Sequence, residues 1–351
     1  MDSQVSTSGG IPPPCQPLSF AGCLIGQAIG DMMGLPYENL SPRRIARLAR
    51  LDRPTFFFGY GCGSDDTEHA GMTAEAIRYA NGDVAVFQRR LASSLRRWFL
   101  TAPPGIGLAT LKSCLKLCLG FPASHSGVRS AGNGPAMRAA ILGVMVPPEK
   151  LADFVAASTR LTHTDRRAEI GSLIIARLAA DAARMEPARG AEWISTILAE
   201  IKNENDLEPL LKNMCAAAEA LRHGLTVADF AKQLTSGRGV SGFIAHTVPV
   251  AVMAFFRHAD DYAQGIEQVI RAGGDTDTTA AITGALIGSR VGIEGIPLGW
   301  RQCHFDWPWS LDRLLHARRP SLALWPIMVL RNLAFCGIVL THVLRRLLPP
   351  W

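Results

Sequence analysis

Gly273-Gly274-Asp275-Thr276-Asp277-Thr278-Thr279 runs directly into the helix-like stretch Ala280 to Val291. Two carboxylates alternate with hydroxyls after a glycine pair. Far upstream, Ser64-Asp65-Asp66-Thr67 follows Gly63 and precedes a second helical pattern. Both clusters read as a glycine-marked turn, carboxylates beside hydroxyls, then a helix. Hard divalent cations such as Mg2+ and Mn2+ prefer carboxylate, hydroxyl, carbonyl and water oxygens. If the segment before Thr278 is extended, Asp275 and Asp277 point to one side and grip one centre. A helix start beside them also favours negative charge. The adjacent pair Asp65-Asp66 repels itself unless a cation or good hydrogen bonds compensate. The plainer reading is that each cluster only caps its helix, since Asp, Ser and Thr are the usual caps. Two such clusters, each opening a helix, favour the cation reading.

Working outward, Gly284, Gly288 and Gly292 recur at four-residue spacing inside the helix that follows. Near the N-terminus Gly22, Gly26, Gly30 and Gly34 do the same. That spacing puts the glycines on one helical face, where a second backbone can come close. Gly costs a helix about 1 kcal/mol relative to Ala, so the repeats imply steric need at a packed centre. Gln27 and Asp31 interrupt the first repeat, and its apolar run is too short to span a bilayer.

Helical patterns cover about 67–80, 84–100, 166–185, 190–203, 207–223, 243–258 and 261–272, with a short helix from a Thr226 cap through Leu234. Cys114 and Cys118 fall four apart, as inside a helix. Ser41-Pro42 reads as a cap and first helical position. Little period-two alternation occurs, so the chain reads as all-α. No break between helices looks like a linker, which predicts one domain. A further helix is expected at 310–318.

Residues 120–135 are the most loop-like interior segment. With Gly134 as cap and a helix from Pro135, the backbone around Ser130, Gly132, Asn133 and Gly134 would suit a phosphate or diphosphate. The Lys-Ser/Thr ending of a Walker loop is missing. Thr162-His163-Thr164-Asp165 is a turn before a helix, with Asp165 or Thr164 as cap. Glu38 is a lone carboxylate in a Gly/Pro-marked segment.

The 351 residues are 48% hydrophobic and 19% charged, the balance of a folded globular chain and not a disordered one. Eight cysteines form no CxxC pair and no zinc-spaced Cys/His cluster. Reduced thiols in a cytoplasm are the expectation. The first residues lack a basic, apolar secretory signal, and residues 1–17 read as a disordered lead. The net charge of +6 is carried by the tail, where six arginines and no Asp or Glu follow Asp312. A basic nucleic-acid surface is therefore not indicated, and no sequence-specific nucleic-acid binding is expected. The tail Leu322 to Leu348 is apolar nearly all round, with Arg331 in its middle. It either docks as a helix on the body, the favoured reading, or lies on an anionic membrane as a peripheral contact.

Taken together, the motifs resemble the ADP-ribosylglycohydrolase family, which includes dinitrogenase-reductase-activating glycohydrolase and the ADP-ribosyl-arginine and ADP-ribosyl-serine hydrolases. They occur in family order from about Phe20 to Trp309. These are Gly26-Gln27-Ala28-Ile29-Gly30-Asp31 with Glu38; Ser64-Asp65-Asp66-Thr67; Gly132-Asn133-Gly134 with Ala136-Met137-Arg138; Thr162-His163; and Gly274-Asp275-Thr276-Asp277-Thr278. The resemblance implies a single orthogonal multi-helix domain with a central binuclear cleft holding two Mg2+ or Mn2+ ions. It implies Ser64, Asp65 and Asp66 as ligands from one side and Asp275, Asp277 and Thr278 from the other. Glu38 matches a glutamate beside the metals, Ser130 with Gly132, Asn133 and Gly134 a diphosphate loop, and His163 a residue near the nucleotide. Asp66 or Glu38 would be the catalytic base. The implied activity is release of ADP-ribose from an acceptor, such as a protein arginine. Partners would be an ADP-ribosylated protein or other conjugate, and ADP-ribose. The alternative is a silent binding or crystallin-like structural member. The expected organisation is the lead 1–17, a catalytic domain 18–312 and a basic apolar extension 313–351.

Overall fold

The computed structural model describes residues 17–56, 59–201, 205–305, 315 and 325–346. The expected lead lies outside these residues apart from Pro17, which begins a helix. The helix expected at 310–318 also lies outside them, except for Leu315.

The centre of the molecule is a pair of antiparallel helices, α1 (Pro17–Gly34) and α14 (Thr276–Val291). The glycine repeats of the sequence meet each other along this seam. A Cβ on Gly26 would stand 2.2 Å from Gly284 O, and one on Gly22 would stand 2.1 Å from Gly288 O. Gly30 faces Ala280 and Gly34 faces Thr276 in the same way. Neither helix could move this close with side chains in between. Tyr262 seals the seam by donating its hydroxyl to Gly26 O at 2.5 Å.

Around this pair lie α2 (Pro42–Leu48), α3 (Asp65–Ala80), α4 (Val84–Phe99), α5 (Leu108–Cys118), α6 (Ala140–Met145), α7 (Pro148–Arg160) and α8 (Arg166–Asp181). Then follow α9 (Gly190–Glu200), α10 (Glu208–Arg222), α11 (Val227–Thr235), α12 (Ile244–His258), α13 (Tyr262–Ala272) and a short α15 (Leu298–Gln302). One large buried apolar cluster joins residues from α1 through α15. Helix starts follow the sequence signals. Ser41, Thr226 and Asp165 each accept a backbone N–H as side-chain caps. Cys114 and Cys118 do lie in one helix, α5. Helix α7 was not anticipated. Its start carries two prolines and no side-chain cap, so the usual punctuation is missing. The all-α expectation omits one minor feature, a two-residue parallel pair of Gly61–Cys62 with His304–Phe305. The seven cysteines among the described residues are free.

The tail forms α16 (Trp325–Arg346) and docks on the body. Phe335 is buried with Leu35, Phe56 and Cys62. Asn332 is fully buried and donates to both oxygens of Thr101 at 2.9 Å. His342 stacks on Phe56 with ring centroids 4.4 Å apart. Among the described residues no helix is long and apolar enough to cross a membrane.

Candidate active site

The cleft lies at the Thr276 end of the α1–α14 seam, and its floor is built by glycine. Gly273 and Gly274 have φ of +70° and +87°, a region closed to most side chains. Gly274 is held between two chain segments. Its N–H donates to Leu40 O at 2.9 Å, and its carbonyl accepts from Asn39 N at 2.7 Å. On the other side Asp275 N donates to Val240 O at 2.7 Å. A Cβ on Gly274 would fall 1.9 Å from that same oxygen. This joint places Glu38, Asp275 and the 236–242 loop around one opening. A second stitch joins the loop around Gly132 to Phe243. Asn133 N donates to Gly242 O, and Ile244 N donates to Ala131 O, both at 2.9 Å.

The resulting cleft has a volume of about 910 Å³. Asp65 and Asp66 line it from the start of α3, and Asp275, Asp277 and Thr278 from the start of α14. Glu38, Ser130, Gly132, Asn133, Gly134 and His163 line it as well. Ser64 is the exception. Its hydroxyl caps α3, accepting Asp66 N and donating to Asp66 Oδ2, each at 3.2 Å. The two acidic clusters touch directly, because Thr278 Oγ1 donates to Asp66 Oδ2 at 3.1 Å across 212 positions of sequence.

Two local expectations require correction. Helix α14 begins at Thr276, not Thr278, so Asp275 and Asp277 are not alternate residues of an extended strand. Asp275 occupies the N-cap position without capping, and Asp277 sits in the first helical turn. The two reach the cleft because the glycine pair turns the chain just before them. Nor does a helix start at Pro135. The chain makes a three-residue 3-10 turn, Ala136–Arg138, before α6. Asn133 O accepts both Ala136 N and Met137 N, which tightens the turn and buries Arg138. The Asn133 N–H is already used, and Gly132 N donates to Ser130 Oγ at 3.3 Å. An anion held here would meet the loop without the dipole of a long helix behind it.

Arg138 received no role from the sequence, yet it organises this side of the cleft. It is fully buried and donates to Ser158 Oγ, Gly134 O and Thr162 Oγ1 at 3.0, 3.1 and 2.8 Å. Its Nη1 also lies 3.2 Å from His69 Nδ1. His163 packs under the loop: a Cβ on Gly132 would meet its Nε2 at 3.0 Å, and one on Gly134 its Cε1 at 3.1 Å. These glycines make room for the ring. Burial, assisted by the Arg138 charge, pushes His163 down to about 3, so it is a neutral imidazole. The far wall, including Arg238 and His246, was also unmarked in the sequence.

The acidic side is strongly unbalanced. Burial first, then the charges of Asp31, Asp65 and Asp275, raises Asp66 well above the usual carboxylate range. Asp277 is raised by burial, then by Glu38, Asp275 and Asp66. Asp65 is raised by burial, then by Asp31, Glu68 and Glu38. Asp31 of α1 supports the turn from below. Its Oδ2 accepts Ser64 N at 2.7 Å and Thr67 Oγ1 at 2.5 Å, and burial lifts it to about 6. Buried Oδ1 atoms of Asp66 and Asp277 have no hydrogen-bond partner. Crowded, desolvated carboxylates with unsatisfied oxygens fit a divalent cation, which removes both the repulsion and the missing partner. Among the described residues no three Asp, Glu, His or Cys side chains already stand as a closed metal shell. The donor set is gathered around the cleft and not collapsed onto one point.

The sequence matches the ADP-ribosylglycohydrolase family over residues 18–323, and the chain belongs to that family. It is 28% identical over 286 residues to an uncharacterized protein of Archaeoglobus fulgidus, covering 77% of this chain and 87% of that protein. Identity is 25% over 287 residues to the ADP-ribosyl-[dinitrogen reductase] glycohydrolase of Rhodospirillum rubrum, covering 80% and 87%. Human ADP-ribosylhydrolase ARH3 is 23% identical over 324 residues, covering 81% and 88%. A solved structure described as an ADP-ribosylglycohydrolase-related protein complex shares the fold. Its TM-score is 0.60 at 23% identity, over 90% of this chain and 98% of that one.

Proposed function

We propose that this chain hydrolyses the glycosidic bond between ADP-ribose and an acceptor, using divalent cations held by Asp65, Asp66, Asp275, Asp277 and Thr278. One observation carries the reading. Two acidic helix starts from opposite ends of the domain meet through Thr278 and Asp66 in one cleft that also contains the Gly132–Gly134 loop. A pair of Mg2+ or Mn2+ ions would supply Lewis-acid polarisation of ribose hydroxyls and a water of lowered pKa. The rest falls to the protein. The Ser130–Gly134 loop, backed by His163, receives the diphosphate and supplies remote binding energy that holds the sugar in place. Glu38 or Asp66 accepts the proton of the water that attacks the anomeric carbon. Glu38→Gln separates these roles: a base is lost with cation affinity kept, whereas a ligand loses both. Ser64 acts through its cap and through Asp66. The catalytic unit is residues 18–312, with 313–351 as an extension, and the proposed setting is cytoplasmic.

The acceptor proposed is a protein side chain such as arginine, in keeping with the named relative that acts on modified dinitrogen reductase. The test is incubation with arginine-, serine-, acetyl- and nucleobase-linked ADP-ribose, with and without EDTA. ADP-ribose release that needs Mg2+ or Mn2+ and is lost in Asp275→Asn and Asp65→Asn is the expected result. Release that survives chelation would point to a metal-free glycosidase. Tight ADP-ribose binding without turnover on any linkage would make this a binding protein.

A further inference from the structure

The family match ends at residue 323, and α16 lies entirely beyond it. This helix nevertheless reaches the back of the acidic turn. Arg331 Nη1 donates to Glu68 Oε1 at 2.7 Å, and Nη2 to Gly63 O at 3.4 Å. The other oxygen of Glu68 accepts Trp98 Nε1 at 2.5 Å. The ion pair is well enclosed, with side-chain exposures of 14% for Arg331 and 9% for Glu68. Arg331 itself is held by Asn332 Oδ1 at 2.7 Å, and Asn332 is anchored on Thr101. Gly63 and Glu68 bracket the four residues Ser64 to Thr67. One guanidinium therefore clamps both ends of the turn that carries Asp65 and Asp66. The carboxylates point into the cleft and the clamp acts from behind.

We propose that Arg331 is a positioning residue for the cation site, through which the C-terminal helix holds the α3 acidic turn in its cation-binding shape. The inference rests on the cation-dependent reading above. Geometry and charge make opposite demands here. As a positive charge close to the site, Arg331 alone opposes cation binding, so its removal would tighten binding. As a clamp, its removal lets the turn relax and weakens binding. A residue that merely anchors α16 changes neither.

The experiment is calorimetric titration of Mn2+ into the full-length protein. Arg331→Gln is expected to weaken binding by about 10- to 100-fold, the usual range when a ligand's supporting partner is lost. Arg331→Lys should fall between, because an ammonium cannot span Gly63 O and Glu68 as the planar fork does. The double variant Arg331→Gln/Glu68→Gln removes both charges and should stay weak. Leu333→Gln, on the exposed side of the same helix, should match the wild type. Unchanged or tighter binding in Arg331→Gln, or recovery in the double variant, overturns the proposal. If Arg331→Gln does not fold, Arg331→Lys decides: weaker binding supports the clamp and equal binding sinks it. A wild type that binds no Mn2+ overturns the functional reading and this inference together. Wild-type binding with an indifferent Arg331 overturns this inference alone.

Discussion

Helices α3 and α14 open on the same kind of sequence but are held by different means. At α3 side chains do the holding. Ser64 caps the helix, Asp31 accepts Ser64 N and both donors of Thr67, and Arg331 closes the turn from behind. At α14 the backbone does it. Gly273 and Gly274 take positive φ, and bonds to Leu40 and Val240 fix Asp275 in space. Asp275 does not cap its helix; its Oδ2 accepts Asn133 Nδ2 at 2.7 Å. The difference separates capping from function. Where a serine takes the cap, both following carboxylates turn to the cleft; where no side chain caps, the N-cap aspartate itself is available.

The largest expected effect breaks the backbone-held side. Gly274→Ala places a Cβ 1.9 Å from Val240 O at φ +87°, combining a clash with a disfavoured conformation. We expect loss of the fold or of at least about 3 kcal/mol in urea unfolding. At Gly63→Ala the nearest atoms all belong to the Thr67 side chain, Oγ1 at 2.9 Å, Cβ at 3.1 Å and Cγ2 at 3.4 Å, and φ is not positive, so the cost should be well under half of that.

Next come the carboxylates. Asp66→Asn and Asp277→Asn should each lower ADP-ribose release by at least about 100-fold, more than loss of a supporting partner. Each should also raise the melting temperature in EDTA, because a buried like charge is removed. A variant that loses activity and stability together would mean that the carboxylate is structural.

A smaller effect concerns pH. The raised pKa of Asp31, about 6, means that the folded state binds its proton more tightly than the unfolded chain. Its contribution to stability is present below the unfolded value of 3.8 and is lost as pH rises through about 6. Asp31→Asn should flatten the fall in melting temperature between pH 4 and 7, measured in EDTA relative to the wild type. An unchanged slope would assign the fall to other groups. The smallest effect is that of the cap itself. Ser64→Ala should cost about 1 kcal/mol in urea unfolding. Asp275→Ala has no cap bond to lose, and an equal cost there would erase the contrast between the two starts.

Much of this was legible in the chain. The four-residue glycine spacing at Gly22 to Gly34 and Gly284 to Gly292 pointed to close backbone contact, and that contact is the α1–α14 seam. The acidic clusters were marked by their own residue types. Arg138 stood in a quoted motif but had no role, since a buried arginine is recognised only by its partners, which here lie at His69, at Gly134 and along Ser158 to Thr162. Docking of the tail was favoured over a membrane role, but nothing near Arg331 in sequence named Glu68, which lies 263 positions away.

The all-α character, the helix starts capped by Ser41, Asp165 and Thr226, the glycine faces and the acidic clusters were determined by sequence alone, because periodicity, capping and backbone freedom act within a few residues. Which oxygens enter the cleft, which glycine backbone faces which carbonyl, and that a C-terminal arginine stands behind the α3 turn were decided only by the tertiary structure. Those contacts join segments hundreds of residues apart, and packing of the whole body sets them.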